Sequence, residues 1–245
     1  LARSWGVTLN TLVQTVWGVL VGGLTGREDV VFGSVVSGRP AEIVGVEQMV
    51  GLFINTLPIR IRLQAAESLA SLVQRVQQEQ AGLLAYHHLG LTEIQQLAGS
   101  GPLFDTLTVF ENYPVVRDSA DKHDSRHLDA RVIHGLDATH YPLTLAVIPA
   151  GDAMRLRLDY QPSAFDQDRA SRILARYQHL LHHLTTAADR PLSGLDVLLP
   201  GECAALEEWN ATGGVARVAS IPEVFAEQVA RVPGALAVEF GEVRL

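Results

Sequence analysis

Histidine is the side chain most easily set to acid–base work near neutral pH, and this sequence carries two adjacent pairs, His87-His88 in YHHLGLTE and His182-His183 in YQHLLHHL. Adjacent histidines can mark acyl-transfer sites where the pattern HHxxxDG is complete. After His87-His88 the last two positions hold Thr92 and Glu93, and after His182-His183 they hold Ala187 and Ala188, so neither pair completes it. The first pair also falls in a chain turn behind a helix. A base must be placed by geometry before its pKa matters, and a surface or packing role is expected for both members. His179 joins His182 and His183 in an i, i+3, i+4 cluster that could in principle hold a metal. Zinc chemistry of the HExxH kind needs a glutamate that is absent, and Arg169, Arg172 and Arg176 share the neighbouring face, so a solvated basic helix surface is expected instead. Cys203 lies in no recognisable nucleophile context, and Asn210-Ala211-Thr212 is a glycosylation sequon by pattern only. Neither a phosphate loop nor GxGxxG occurs.

The elements that would position any such group belong to an ordinary globular chain. Its 245 residues suffice for one fair-sized domain or two small ones. With 19 basic against 27 acidic residues, the chain lacks the clustered positive charge that nucleic acid or an anionic membrane requires, so neither is expected as a partner. A single cysteine excludes an intrachain disulfide and points to a reducing compartment, the cytoplasm. LARSWGVTLN has no apolar core of signal-peptide length and reads like the middle of a longer chain. The longest apolar run, near Val16 to Leu24, is interrupted by Gly18, Gly22 and Gly23 and is too short to span a bilayer.

Mixed helices and strands follow along the chain. Leu9, Leu12, Val13, Val16, Leu20 and Leu24 recur at helical spacing behind a capping Thr8, and DVVFGSVV (Asp29 to Val36) has the β-branched texture of a strand. SGRP, Ser37 to Pro40, forces a loop, and a second strand is expected over Asn55 to Leu63. A helix from about Ser68 to Leu84 turns Leu69, Leu72, Val73, Val76 and Leu83 inward and leaves Gln74, Arg75, Gln77 and Gln78 on its polar side. A short helix is expected over Thr92 to Ala98, then strands at Thr106 to Glu111, near Leu128 to His134, at Leu143 to Ile148 and at Met154 to Tyr160. PAGDA joins the last two as a hairpin, and a helix from Asp168 to Leu184 buries Ile173, Leu174, Tyr177, Leu180, Leu181 and Leu184.

The texture then changes. A short helix around Gly201 to Trp209 leads into NATGGVARVAS, which has the small, polar composition of a linker. Ser220-Ile221-Pro222-Glu223 restarts structure with a capping box, Pro222 fitting the donor-free first turn.

One long segment, DVVFGSVVSGRPAEIVGVEQMVGLFINTLPIR (Asp29 to Arg60), closely resembles the condensation domains of non-ribosomal peptide synthetases where they lead into the GLFINTLPxR signature. GPLFDTLTVFENYP (Gly101 to Pro114), YPLTLAV (Tyr141 to Val147) and LDYQPSAFD (Leu158 to Asp166) follow in that family's order, as does YHHLGLTEIQQL. The resemblance covers Leu1 to about Leu199. LLPGECAALEEWNATGG is similar to the connector leaving such a domain, and SIPEVFAEQVARVPGALAVEFGEVRL to the opening of an adenylation domain. It therefore implies a condensation-domain lobe over 1–199, a linker over 200–219 and the start of an adenylation domain over 220–245.

The fold implied is α/β: a chloramphenicol-acetyltransferase-like lobe, a mixed sheet flanked by helices, forming the C-terminal of two lobes set in a V. A tunnel between them would be entered by donor and acceptor carrier domains. The intact domain would form a peptide bond between a carrier-bound acyl or peptidyl thioester and an aminoacyl acceptor. In that family HHxxxDG lies in the first half of the domain, so the resemblance places the catalytic histidine upstream of Leu1 and leaves this chain inactive by itself. Ser37, Gly38, Arg39 and Pro40 would be the floor loop beneath the tunnel, and a later segment the latch crossing to the N-terminal lobe. Asn55, in FINT, matches a polar position near the active site, where an amide could orient the thioester or the amine; equally, it could satisfy backbone at a strand start. Neither a metal nor a directly bound cofactor is implied, the phosphopantetheine being carried by partner carrier domains. Besides those carriers, the N-terminal lobe and an adjacent adenylation domain are the expected partners. FINT and GRP favour condensation over the related epimerization domains, and a non-catalytic structural lobe that docks carrier and adenylation domains stays as the other reading.

Overall fold

Thr8 begins the first long helix as its sequence suggests, its hydroxyl accepting from the Thr11 amide at 3.0 Å and so satisfying one of the donors every helix start leaves open. The computed structural model describes residues 1–39, 43–99, 101–111, 139–151, 153–213 and 219–244. They form two compact units, Leu1–Leu199 and Pro200–Leu245.

In the first unit a short helix α1 (Ala2–Trp5) and the helix α2 (Leu9–Thr25) precede strand β1 (Asp29–Ser37), which pairs antiparallel with β2 (Ile54–Arg62) from Asp29 opposite Arg62 to Ser37 opposite Ile54. Helix α3 (Leu69–Leu83) and helix α4 (Leu91–Ala98) then carry the chain to β3 (Thr106–Phe110), which lies parallel to β1 on its other side. Strand β4 (Leu143–Ala150) is parallel to β3, and the β4–β5 hairpin returns antiparallel along β5 (Ala153–Tyr160). The sheet order is β2-β1-β3-β4-β5. Helix α5 (Gln167–Thr186), capped by the Asp166 carboxylate on the Arg169 amide at 2.7 Å, closes the unit.

The core lies between the sheet and α2, α3 and α5. Alternation along β1 and β2 sends Val30, Phe32, Ile59 and Ile61 to the helices, where they meet Trp17, Leu20, Leu72, Val76 and Tyr177. Trp17 and Tyr177 stack edge to face at 5.9 Å, and the Tyr177 hydroxyl donates to the Val13 carbonyl at 3.1 Å. Gly33 is required where β1 meets β3, because a Cβ there would stand 2.3 Å from the Phe104 ring.

The expected elements appear with ends moved by one or two residues. Leu83 departs from its expected inward place: α3 ends there, the chain tightens into a 3₁₀ turn at Leu84–Tyr86, and Leu83 is 41% exposed. The strand expected near Leu128 to His134 lies outside the described residues. In the second unit, helices α6 (Pro200–Asn210) and α7 (Ile221–Arg231) are followed by a two-stranded ribbon, β6 (Glu239–Phe240) with β7 (Val243–Arg244). Among the described residues no helix is long and apolar enough to cross a membrane.

Candidate functional site

Strand β1 ends at Ser37 beside the start of β2 at Ile54, and three stretches of chain converge there. The Gly38 amide donates to the Phe53 carbonyl at 2.6 Å; a Cβ on Gly38 would stand 2.9 Å from that oxygen, so the close approach needs glycine. Next to it the Arg39 guanidinium lies 4.0 Å above the Phe53 ring, a cation–π geometry, and donates to the carbonyls of Val46 and, at 3.0 Å, of Met49. From β2, the Asn55 side-chain amide donates to the carbonyls of His87 (2.9 Å) and Leu89 (2.6 Å), while its oxygen accepts from the Thr56 amide at 2.9 Å. Asn55 thus clips the YHHLG turn onto the sheet, with both of its N–H donors engaged. Of the sequence-flagged residues, Ser37, Gly38, Arg39, Asn55 and His87 come together; Pro40 lies outside the described residues, and His88 is exposed.

A cleft of about 230 Å³ opens beside this junction, between the start of α2, the end of α3 and the sheet. Val36, Leu57 and Ile59 form its apolar floor, and Asn10, Gln14, Gln77, Gln80 and His87 stand around it. Gln14, 2% exposed, donates to Ser34 Oγ at 2.7 Å and to Asn10 Oδ1 at 3.2 Å, and its oxygen accepts from Gln80. Gln77 Oε1 accepts from the Thr8 amide (2.9 Å) and the Thr11 hydroxyl (2.7 Å). A backbone N–H can only donate, so the Thr8 contact fixes which end of the Gln77 amide faces it.

The cleft itself is without formal charge: its lining contains no carboxylate, lysine or arginine. Burial pulls the His87 imidazole below its ordinary pKa, which favours the uncharged ring. No acid of the lining is paired with it, and the arrangement suits holding and orienting a ligand rather than moving its protons.

Elsewhere, His179 and His183 on α5 stack edge to face at 4.6 Å. Here the expected solvated surface is corrected: the His183 ring nitrogens are buried, and burial first, then the neighbouring His179, lowers that imidazole's pKa. Among the described residues no group of three or more His, Cys, Asp and Glu side chains is placed to hold a metal. Cys203 is partly buried on α6.

The amide cluster is what residue-by-residue reading misses. Helical spacing puts Gln77 on the polar side of α3, yet it joins α3 to the α2 start. The signal in the sequence is Gln14, a carboxamide set within the apolar run of α2: a buried polar group of this kind requires partners.

Comparison with known proteins agrees with this architecture. The family model described as "Condensation domain" matches residues 1–207. The chain belongs to the condensation-domain family. Vanchrobactin synthetase VabF of Vibrio anguillarum is 36% identical over 99% of this chain and 8% of its own length. Tyrocidine synthase 2 of Brevibacillus parabrevis is 33% identical over 98% of this chain and 7% of its own. The condensation-domain sequence here thus spans less than a tenth of the length of these two relatives. Among solved structures, a four-domain nonribosomal peptide synthetase bound to AMP and glycine superposes with TM-score 0.70 at 17% identity, over 96% of this chain and 19% of that one. The first condensation domain of the calcium-dependent antibiotic synthetase, in complex with a substrate analogue, gives 0.65 at 17% identity over 81% of this chain and 45% of that one. The expected α/β fold, a mixed sheet flanked by helices as in condensation domains, is therefore borne out.

Proposed function

We propose that this chain forms the C-terminal lobe of a condensation domain that makes peptide bonds in a non-ribosomal peptide synthetase. The family match across residues 1–207 carries the reading. In the reaction the acceptor's amine nitrogen attacks the donor thioester carbonyl; a C–N bond forms, the C–S bond breaks, and the thiol leaves on the donor carrier as the amine gives up its proton. Both substrates arrive on phosphopantetheine arms of carrier domains. This lobe's contribution is positioning, because no histidine pair in the sequence completes HHxxxDG and the base or positioning histidine of that motif would come from the N-terminal lobe.

Within the lobe, Ser37, Gly38, Arg39 and Pro40 serve as floor loop, held by the Phe53 and Val46 contacts of Gly38 and Arg39. Asn55 acts as a positioning residue: its amide fixes the His87–Leu89 turn at the mouth of the cleft. Residues 1–199 make up the lobe, 200–219 the linker, and 220–245 the first part of an adenylation domain working in the cytoplasm beside its carriers.

The test is an assay with loaded donor and acceptor carriers, run with this chain alone and with the polypeptide bearing the HHxxxDG lobe added. Product is expected only in the second case. Product from this chain alone would show that the lobe holds its own catalytic group, and no product from the complete pair would make it a scaffold.

A further inference from the structure

Between β1 and β2 the chain turns Val44, Val50 and Leu52 out to solvent and Val46 in. Apolar side chains gain by burial, so something other than the hydrophobic effect holds this stretch open. Its own turn is slight: the Val46 amide donates to the Ile43 carbonyl at 3.2 Å, Gln48 to Gly45 at 3.0 Å and Met49 to Val46 at 3.3 Å. Arg39 supplies the rest. One guanidinium nitrogen donates to the Val46 carbonyl and another to that of Met49, while the group lies over the Phe53 ring. A planar guanidinium fixes the spacing and direction of the two carbonyls it joins, which the ammonium of a lysine does not.

The far end of this stretch is shared with the His87–Leu89 turn. Phe53 carries both the ring beneath Arg39 and the carbonyl that receives the Gly38 amide; two residues on, Asn55 holds the His87 and Leu89 carbonyls. A Cβ on Gly38 would stand 3.9 Å from the His87 carbonyl oxygen, so the two stretches also lie directly against each other. We propose that Arg39 is a positioning residue: it fixes residues 43–53 and, through the Phe53–Asn55 anchor, sets them against the His87–Leu89 turn, so that the reactants of the condensation step meet one rigid frame. Arg39 acts through this frame, its guanidinium being committed to main chain and ring. The role in the reaction rests on the condensation reading, whereas the frame itself does not.

Arg39→Lys keeps a charge over Phe53 and loses the double carbonyl contact. It is tested in this chain with the polypeptide bearing the HHxxxDG lobe added, by hydrogen exchange and by the carrier assay. Exchange at the Gln48 and Met49 amides should accelerate about tenfold, and so should exchange at the Leu89 amide, which donates to Tyr86 within the turn, while the amides of α2 keep their rates. Coupling between two places is reciprocal, so Asn55→Ala should in turn accelerate exchange at Gln48 and Met49. With Arg39→Lys, kcat should fall about tenfold or more while KM for each loaded carrier stays within about twofold and the thermal midpoint holds. Unchanged exchange at Gln48 and Met49 overturns the hold of Arg39 on its loop, and acceleration confined to residues 43–53 overturns the shared frame. An unchanged kcat, or a loss that only follows a lowered midpoint, overturns the positioning role. Should Arg39→Lys not fold, Phe53→Leu, which removes the ring and leaves both carbonyl contacts, decides by the same readouts, with an expected effect of about threefold. No product from the unaltered pair of lobes sinks the condensation reading, and the positioning role with it, while the exchange results decide the frame separately.

Discussion

Helices α2 and α7 both begin with well-made caps, yet they end in opposite circumstances. α2 buries eleven of its residues, Trp17 and Leu20 completely. α7 buries none, leaving Ile221 87% and Phe225 58% exposed. Their starts are comparable: Thr8 caps the Thr11 amide in one, and in the other Glu223 reaches back to the Ser220 amide at 2.7 Å. A cap settles where a helix begins and is worth about 1 kcal/mol; burial of an apolar face is what holds the helix in a fold. The difference lies in what each unit supplies. Residues 1–199 bring a five-stranded sheet against which helices pack, whereas among the described residues from Pro200 onward none is buried.

The comparison predicts effects of very different size. Trp17→Ala should destabilise the first unit by about 3–5 kcal/mol, read from denaturant unfolding, because it empties a fully buried site against Tyr177. A loss below about 1 kcal/mol would mean the core closes around the gap. Asn55→Ala should cost about 1–3 kcal/mol by leaving the His87 and Leu89 carbonyls without their donor. An unchanged midpoint would show that the turn keeps its place without the clip and would leave Asn55 available to substrate.

Ending the chain after Thr212 removes α7 and the β6–β7 ribbon. The thermal midpoint of the first unit should stay nearly where it was, and a fall of several degrees, equivalent to about 1–2 kcal/mol, would make this segment part of the lobe's own core. The smallest effect is local to α7. The backbone hydrogen bond from Ser220, then its hydroxyl, hold the Glu223 carboxyl below its ordinary pKa. A carboxyl depressed in the folded helix contributes fully above its unfolded-chain pKa, and that contribution is lost as pH falls through the folded one. Hydrogen exchange at the Ser220 and Val224 amides, corrected for intrinsic rates, should therefore accelerate on acidification through that window. Glu223→Gln should abolish the dependence, and a flat profile in the unaltered chain would remove the cap from the account.

The lobe's strands are legible in the sequence because alternation and β-branching are local. DVVFGSVV forms β1 nearly as written, and PAGDA turns between β4 and β5. α5 is legible from its apolar stripe, though the cap is Asp166 and the helix runs on to Thr186. Leu83 and His183 defeat the same reading for one reason: a helical stripe says which side faces in, but not where the covering element ends.

The elements of the described residues, the Thr8 and Ser220 caps and the family follow from the amino-acid order alone, since all are written in near neighbours along the chain or in long uninterrupted motifs. What Asn55 does is open between substrate and backbone in the sequence, and its hydrogen bonds to His87 and Leu89 join residues 32 and 34 positions apart. The cleft is likewise tertiary. Its polar wall comes from α2 and α3 and its floor from β1 and β2, and only packing α2 and α3 onto that sheet brings Asn10, Gln14, Gln77 and Gln80 together around it.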